Sequence, residues 1–66
     1  MLVGITSEGE RTVVENDGPL TVAEVLQRVG IAASTVLAVV GGVIIPHTST
    51  IEGDVEIELI IVSSGG

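Results

Sequence analysis

The chain has no cysteine, no aromatic residue and no lysine. Without thiols it can form no disulfide, no thiolate metal site and no cysteine nucleophile. That suits a reducing interior and predicts a cytoplasmic protein that leaves covalent catalysis to a partner. Without aromatic rings there is no platform for stacked bases, and nine carboxylates against two arginines give a formal charge of −7 that repels phosphate. Both features argue against DNA and RNA as ligands. Long apolar runs are missing as well. The longest near-apolar stretch, Val36 to Pro46, is broken by Gly41-Gly42 and falls far short of the roughly 20 residues a membrane helix needs. The first residues show neither the basic segment nor the apolar stretch of a secretion signal, so neither a membrane nor export is expected.

What remains is a small, β-branched, acidic chain. Sixty-six residues make one domain. A chain of that size hides only about 60% of the surface its unfolded form exposes, so its core must be dense. Of the 30 apolar residues, 12 are Val and 8 are Ile, a bias that favours a sheet packed on one face over a helical bundle. The acidic surplus over Arg11 and Arg28 keeps such a domain soluble and steers it toward basic partners.

Leu2, Gly4 and Thr6 alternate with Val3, Ile5 and Ser7; Glu8-Gly9-Glu10 then turns the chain into a second extended segment at Thr12-Val13-Val14. After the break Asn16-Asp17-Gly18-Pro19 the period changes. Thr21 and Glu24 have capping-box spacing, Val22, Val25, Leu26 and Val29 form one helical stripe, and Gly30 stands where a left-handed terminator belongs. Val36 to Val40 reads as an interior strand, Gly41-Gly42 as a tight turn into Val43-Ile44-Ile45, and Pro46 as its end. A polar loop, His47 to Thr50, and the turn Glu52-Gly53-Asp54 lead to a last strand. There Val55, Ile57, Leu59 and Ile61 share one face, and Glu56 and Glu58, followed by Ile60 and Val62, share the other.

The order strand, strand, helix, strand, strand, strand buries the helix's narrow stripe only if a mixed sheet of four to five strands carries that helix across one face. The expected architecture is therefore α+β, a β-grasp, with a domain over residues 1–62 and a flexible tail, 63–66, leaving the sheet at one end. The first and last strands are expected side by side at its centre. The tail, Ser63-Ser64-Gly65-Gly66, ends on a bare diglycine, whose carboxylate is expected to be a group for activation.

Three stretches carry a resemblance to ubiquitin-like sulfur carriers and modifiers, the ThiS and MoaD families, the bacterial carriers for tRNA thiolation and the small archaeal modifier proteins. Thr21-Val22-Ala23-Glu24-Val25-Leu26 is similar to the helix start of ThiS-type proteins. Val36 to Pro46 is similar to their strand, glycine turn, strand and proline, and Glu52-Gly53-Asp54-Val55-Glu56-Ile57 to the turn and strand before their terminal Gly-Gly. Gly41 stands where such proteins often have Asn or Asp, and His47 follows Pro46 where a basic residue is frequent.

The resemblance implies a substrate protein rather than an enzyme. A ubiquitin-activating-enzyme-like adenylyltransferase, using ATP and Mg²⁺ that the carrier itself does not bind, adenylates the carboxylate of Gly66. A sulfurtransferase then supplies sulfur for thiamin, molybdopterin or tRNA thiolation, or a lysine of a target protein takes the acyl group as an isopeptide. Gly66 provides the reacting carbonyl and Gly65 the clearance, while Ser63 to Gly66 span at most about 14 Å. A dedicated ThiS-like sulfur donor and a β-grasp interaction domain with inert glycines are the alternatives. Ile60 and Val62, with Ile44, are candidates for an apolar docking patch, against the plainer reading of single exposed residues. A lone imidazole makes His47 a loop residue rather than a metal ligand or base, and Glu52, Asp54, Glu56 and Glu58 read as a solvated acidic surface.

Overall fold

The computed structural model describes residues 1–62. Two alternating segments form β1 (Leu2–Ser7) and β2 (Glu10–Glu15), joined by the two-residue turn Glu8-Gly9 with φ of 51° and 79°. A pair of left-handed residues matches the right-handed twist of the flanking strands. After β3 (Leu20–Thr21) the chain enters α1 (Val22–Val29) through the expected capping box. Thr21 Oγ1 accepts the Glu24 amide at 3.1 Å, and Glu24 Oε1 accepts the Thr21 amide at 3.0 Å. Gly30, at φ 78°, ends the helix by donating to the Gln27 carbonyl at 3.2 Å, and Ile31 donates to the Leu26 carbonyl at 3.0 Å.

A short 3₁₀ turn (Ala33–Thr35) precedes β4 (Val36–Val40), and Gly41-Gly42 turns the chain into β5 (Val43–Ile45). Then come β6 (Thr50–Ile51) and β7 (Val55–Ile61). The main sheet has the order β2-β1-β7-β4-β5, and β3 pairs with β6 in a separate two-stranded ladder. The first and last long strands are parallel neighbours at the centre, with Val3 opposite Val55 and Ile5 opposite Ile57, and β4 runs antiparallel on the other flank of β7. This is the β-grasp expected from the element order.

The helix stripe explains the core. Val22, Val25 and Leu26 are buried together with Val3, Ile5, Ala38, Ile57 and Leu59. Among the described residues, only the sheet face carrying α1 is closed in this way. Val29, on the same stripe, is half-buried at the helix end.

Two features depart from the sequence reading. His47 to Thr50 is not wholly loop: Thr50 and Ile51 pair with Thr21 and Leu20, burying Leu20 and Ile51. Glu10 and Arg11 already belong to β2, so the first turn is Glu8-Gly9 alone rather than Glu8-Gly9-Glu10. Ile61 shares a face with Ile57 and Leu59 as expected and, on the last rung of its strand, is 50% exposed.

Candidate functional site

The strand that leads toward the C-terminus is the central strand of the sheet. β7 is hydrogen-bonded to β1 on one side and β4 on the other, and the ladder continues one bond past its end, where the Val62 amide donates to the Thr35 carbonyl at 2.9 Å. Ser63, Ser64, Gly65 and Gly66, the residues on which the sequence reading places the chemistry, lie outside the described residues.

The outer sheet face, opposite α1, follows from register. Ile60 lies across from Leu37, and Glu58 across from Val39, which in turn faces Ile44 on β5. Ile44 and Ile60 are 60% and 44% exposed, and Val62, two residues beyond Ile60, is 37% exposed. Ile44 and Ile60 therefore share one face, one rung apart, and the ladder bond at Val62 continues the same alternation. Val39 beneath them is buried although it points outward, because β4 is an interior strand with neighbours on both flanks. Leu2 and Val13, both 47% exposed, extend apolar surface toward the opposite edge, a feature the sequence reading did not single out.

Between these apolar groups runs a polar band. Arg11 of β2 reaches across Gly4 to Glu56 of β7, with Nε to Oε1 at 3.1 Å and Nη2 to Oε2 at 2.6 Å. The hydrogen bond from Arg11 holds the Glu56 carboxyl below its ordinary pKa, and the same contact raises the Arg11 guanidinium. Glu56 is thus not part of a uniform solvated acidic run. The other members of that run differ too: the Asp54 carboxylate accepts the Leu2 amide at 2.7 Å, and Glu52 and Glu58 are exposed. The Arg11 contact was legible only once register was known, because 45 residues separate the partners.

His47 has a backbone role. Its carbonyl accepts the Ala23 amide and the Ser49 carbonyl accepts the Val22 amide, both at 3.0 Å, so this loop satisfies two of the unpaired donors at the start of α1. No group of three or more His, Cys, Asp or Glu side chains able to hold a metal forms among the described residues. No helix among them is long and apolar enough to cross a membrane.

No family model matches the chain. No curated protein sequence matches it either. Among solved structures, a thiamine biosynthesis protein, ThiS, from Geobacter metallireducens superposes with a TM-score of 0.63 at 22% identity, over 96% of this chain and 99% of that one. The match covers nearly the whole of both chains rather than one motif, so the chain has the ThiS-like β-grasp fold, with the strand order, capped helix and central parallel pair described above.

Proposed function

We propose that this protein is a ubiquitin-like carrier whose Gly66 carboxylate is activated by an ATP-dependent partner enzyme. The reading is supported above all by the coincidence of a diglycine sequence with the strand it follows. In a fold shared with a thiamine biosynthesis protein, Gly65-Gly66 comes four residues after the end of β7, the strand held on both flanks at the sheet centre. A fixed origin and side-chain-free residues suit delivery of a carboxylate into a narrow active site.

The chemistry divides between carrier and enzyme. A carboxylate is a poor acyl donor at neutral pH. Attack of a Gly66 carboxylate oxygen on the α-phosphorus of ATP releases pyrophosphate and leaves an acyl-adenylate; a sulfur nucleophile or a lysine amine then displaces AMP at the carbonyl carbon. ATP and Mg²⁺ are substrates and cofactor of the partner. The carrier contributes reach and a docking surface, for which Ile44, Ile60 and Val62, rimmed by Glu58, are the candidates. An apolar centre beside carboxylates suits a partner groove with apolar pockets and basic edges. Sulfur transfer and conjugation both follow from the same adenylate. The likeness to ThiS favours the second reading, a dedicated sulfur donor for thiazole synthesis, as the narrower form of the same function.

ATP–pyrophosphate exchange with a matching activating enzyme tests the first step. Exchange that disappears when Gly66 is deleted supports the proposal, and exchange indifferent to Gly66, or absent, favours an interaction domain with inert glycines. Mass spectrometry of native protein decides the fate: a thiocarboxylate on Gly66 marks sulfur transfer, diglycine remnants on target lysines mark conjugation, and a native chain continuing beyond Gly66 defeats the reading.

A further inference from the structure

One edge of the main sheet is open, and its sequence is complementary to itself. In the β1–β2 hairpin Ser7 faces Glu10 across a two-residue turn, which makes that pair hydrogen-bonded and fixes the alternation along the ladder. The far end confirms it: Met1 and Asn16 exchange both bonds, the Asn16 amide to the Met1 carbonyl at 3.1 Å and the Met1 amine to the Asn16 carbonyl at 2.7 Å. Glu10, Thr12, Val14 and Asn16 therefore turn their backbone groups toward the first strand. Arg11, Val13 and Glu15 turn theirs outward, and among the described residues those outward groups have no partner. All three side chains are exposed and lie on the outer face.

We propose that this β2 edge pairs antiparallel with the same edge of a second copy of the chain, about a two-fold axis at Val13. Centring the pair there sets Val13 against Val13 and Arg11 against Glu15, twice by symmetry. Each outward residue then meets an outward residue, giving about six backbone hydrogen bonds and one continuous sheet through both copies. The spacing cation, apolar, anion at every second residue is what an isologous strand pair requires. A shift of register by one residue would set the outward backbone groups of one copy against inward-turned groups of the other. Arg11 has more guanidinium donors than the two it spends on Glu56, so it serves the facing Glu15 without surrendering its own bridge. The β5 edge offers no such match, being three residues long and closed by Pro46. The −7 charge on each copy opposes association, which places the dimer in the weak, concentration-dependent class.

Sedimentation velocity from about 10 μM to about 1 mM, in salt of about 0.5 M to screen the net charge, tests this. The wild-type chain should shift from monomer to dimer, with slowed hydrogen exchange at the Arg11, Val13 and Glu15 amides in the dimer. Glu15→Arg, which leaves the Arg11–Glu56 bridge alone, should weaken the dimer roughly tenfold by setting like charges opposite each other at two symmetric contacts. Arg11→Glu should do the same, and an equimolar mixture of the two variants should recover dimer, because each supplies the charge the other lacks. Val13→Pro removes an outward N–H that the monomer does not use, and should abolish pairing while circular dichroism shows the sheet intact. A wild-type chain that stays monomeric at about 1 mM overturns the proposal, including the case in which the edge accepts an added extended peptide but not a second copy. So does a dimer unaffected by Glu15→Arg and Val13→Pro, or a variant mixture that stays monomeric.

Discussion

Gly4 occupies the centre of the outer face, and replacing it with alanine sets a covalent preference against an ion pair. A Cβ built there falls 2.5 Å from Glu56 Oε1 and 2.6 Å from Arg11 Nη2, and closer still to Glu56 Oε2. Something must move. The obstructing atoms are the ends of two long side chains that are 54% and 66% exposed, so the bridge can swing aside into water, and a screened surface pair contributes little to stability. Glycine within a strand, by contrast, costs about 0.5–1 kcal/mol relative to alanine through the freedom it loses on folding. Gly4→Ala should therefore be neutral or raise stability by about 0.5 kcal/mol in urea unfolding, against the usual expectation for a buried glycine in a sheet centre. An independent signature accompanies it. The Glu56 carboxyl, now held low by Arg11, should titrate closer to an ordinary glutamate in the variant, as followed by NMR of its side-chain carboxyl carbon. The depressed value contributes stability above the unfolded carboxylate pKa that is lost as pH falls through the folded one, so Gly4→Ala should flatten the acid limb of the stability curve. A loss of more than about 1 kcal/mol, or a Glu56 titration unchanged by the substitution, would refute the argument that the bridge is free to move.

Three further outcomes follow from burial and backbone geometry. Leu26, 1% exposed, anchors α1 in the core, and Leu26→Ala should cost about 3 kcal/mol by chemical denaturation. That is a large share of the roughly 3–10 kcal/mol expected for a domain of this size, so a loss under about 1 kcal/mol would contradict the packing. Glu8, at φ 51°, holds a left-handed conformation that a longer side chain adopts with strain; Glu8→Asn should stabilise the hairpin by about 0.5–1 kcal/mol, read as a higher melting temperature. Ile60→Asp should leave stability within about 0.5 kcal/mol, since the residue is 44% exposed, while slowing pyrophosphate exchange by an activating enzyme at least about tenfold. Unchanged exchange kinetics would remove Ile60 from the docking surface.

The elements legible from sequence were those whose determinants are local. Thr21, Glu24 and Gly30 mark both ends of α1 within the helix itself, and the stripe of Val22, Val25 and Leu26 indicates which side meets the sheet. Turn chemistry located both hairpins, the second at its observed length and the first one residue too long because Glu10 already belongs to β2: Gly9, Gly41 and Gly42 all adopt positive φ. What escaped depends on register between distant segments. Leu20 and Ile51 form a two-rung ladder too short to carry a periodic signal, and each looks apolar in isolation for no visible reason. The Arg11–Glu56 bridge needs β2, β1 and β7 to be stacked in order before its partners become neighbours. Alternation puts Ile61 on one face with Ile57 and Leu59, and the structure agrees, but its exposure of 50% reflects its place on the last rung, which alternation does not carry.

The two sheet faces and the two ends of β7 together explain how a domain this small has surface to spare for other proteins. One helix of eight residues closes the middle of one face and buries Val3, Ile5, Ala38, Ile57 and Leu59, leaving Val43 and Ile61 exposed toward its rim. The opposite face receives no cover among the described residues, yet the interior strands β4 and β7 still place Leu37, Val39 and Ile60 there, and the edge strand β5 adds Ile44. Burial on the helix side thus sets the fold, and the outer side is left to be shaped by what it meets. On that outer side the charged groups are divided: Arg11 is held by Glu56, and Asp54 by the Leu2 amide, while Glu58 stands exposed beside the Ile44 and Ile60 surface. A cationic partner approaching this face therefore finds one free anion, Glu58, next to the apolar groups and on the strand that leads toward Gly66, with another, Glu15, out on the β2 edge, so docking and delivery of the carboxylate would be aligned by the same central strand. Glu58→Lys tests that alignment. It should raise the Michaelis constant for the carrier in pyrophosphate exchange, more at low salt than at high salt, with the turnover number unchanged. An equal effect at all ionic strengths would show that Glu58 acts through the fold rather than through attraction.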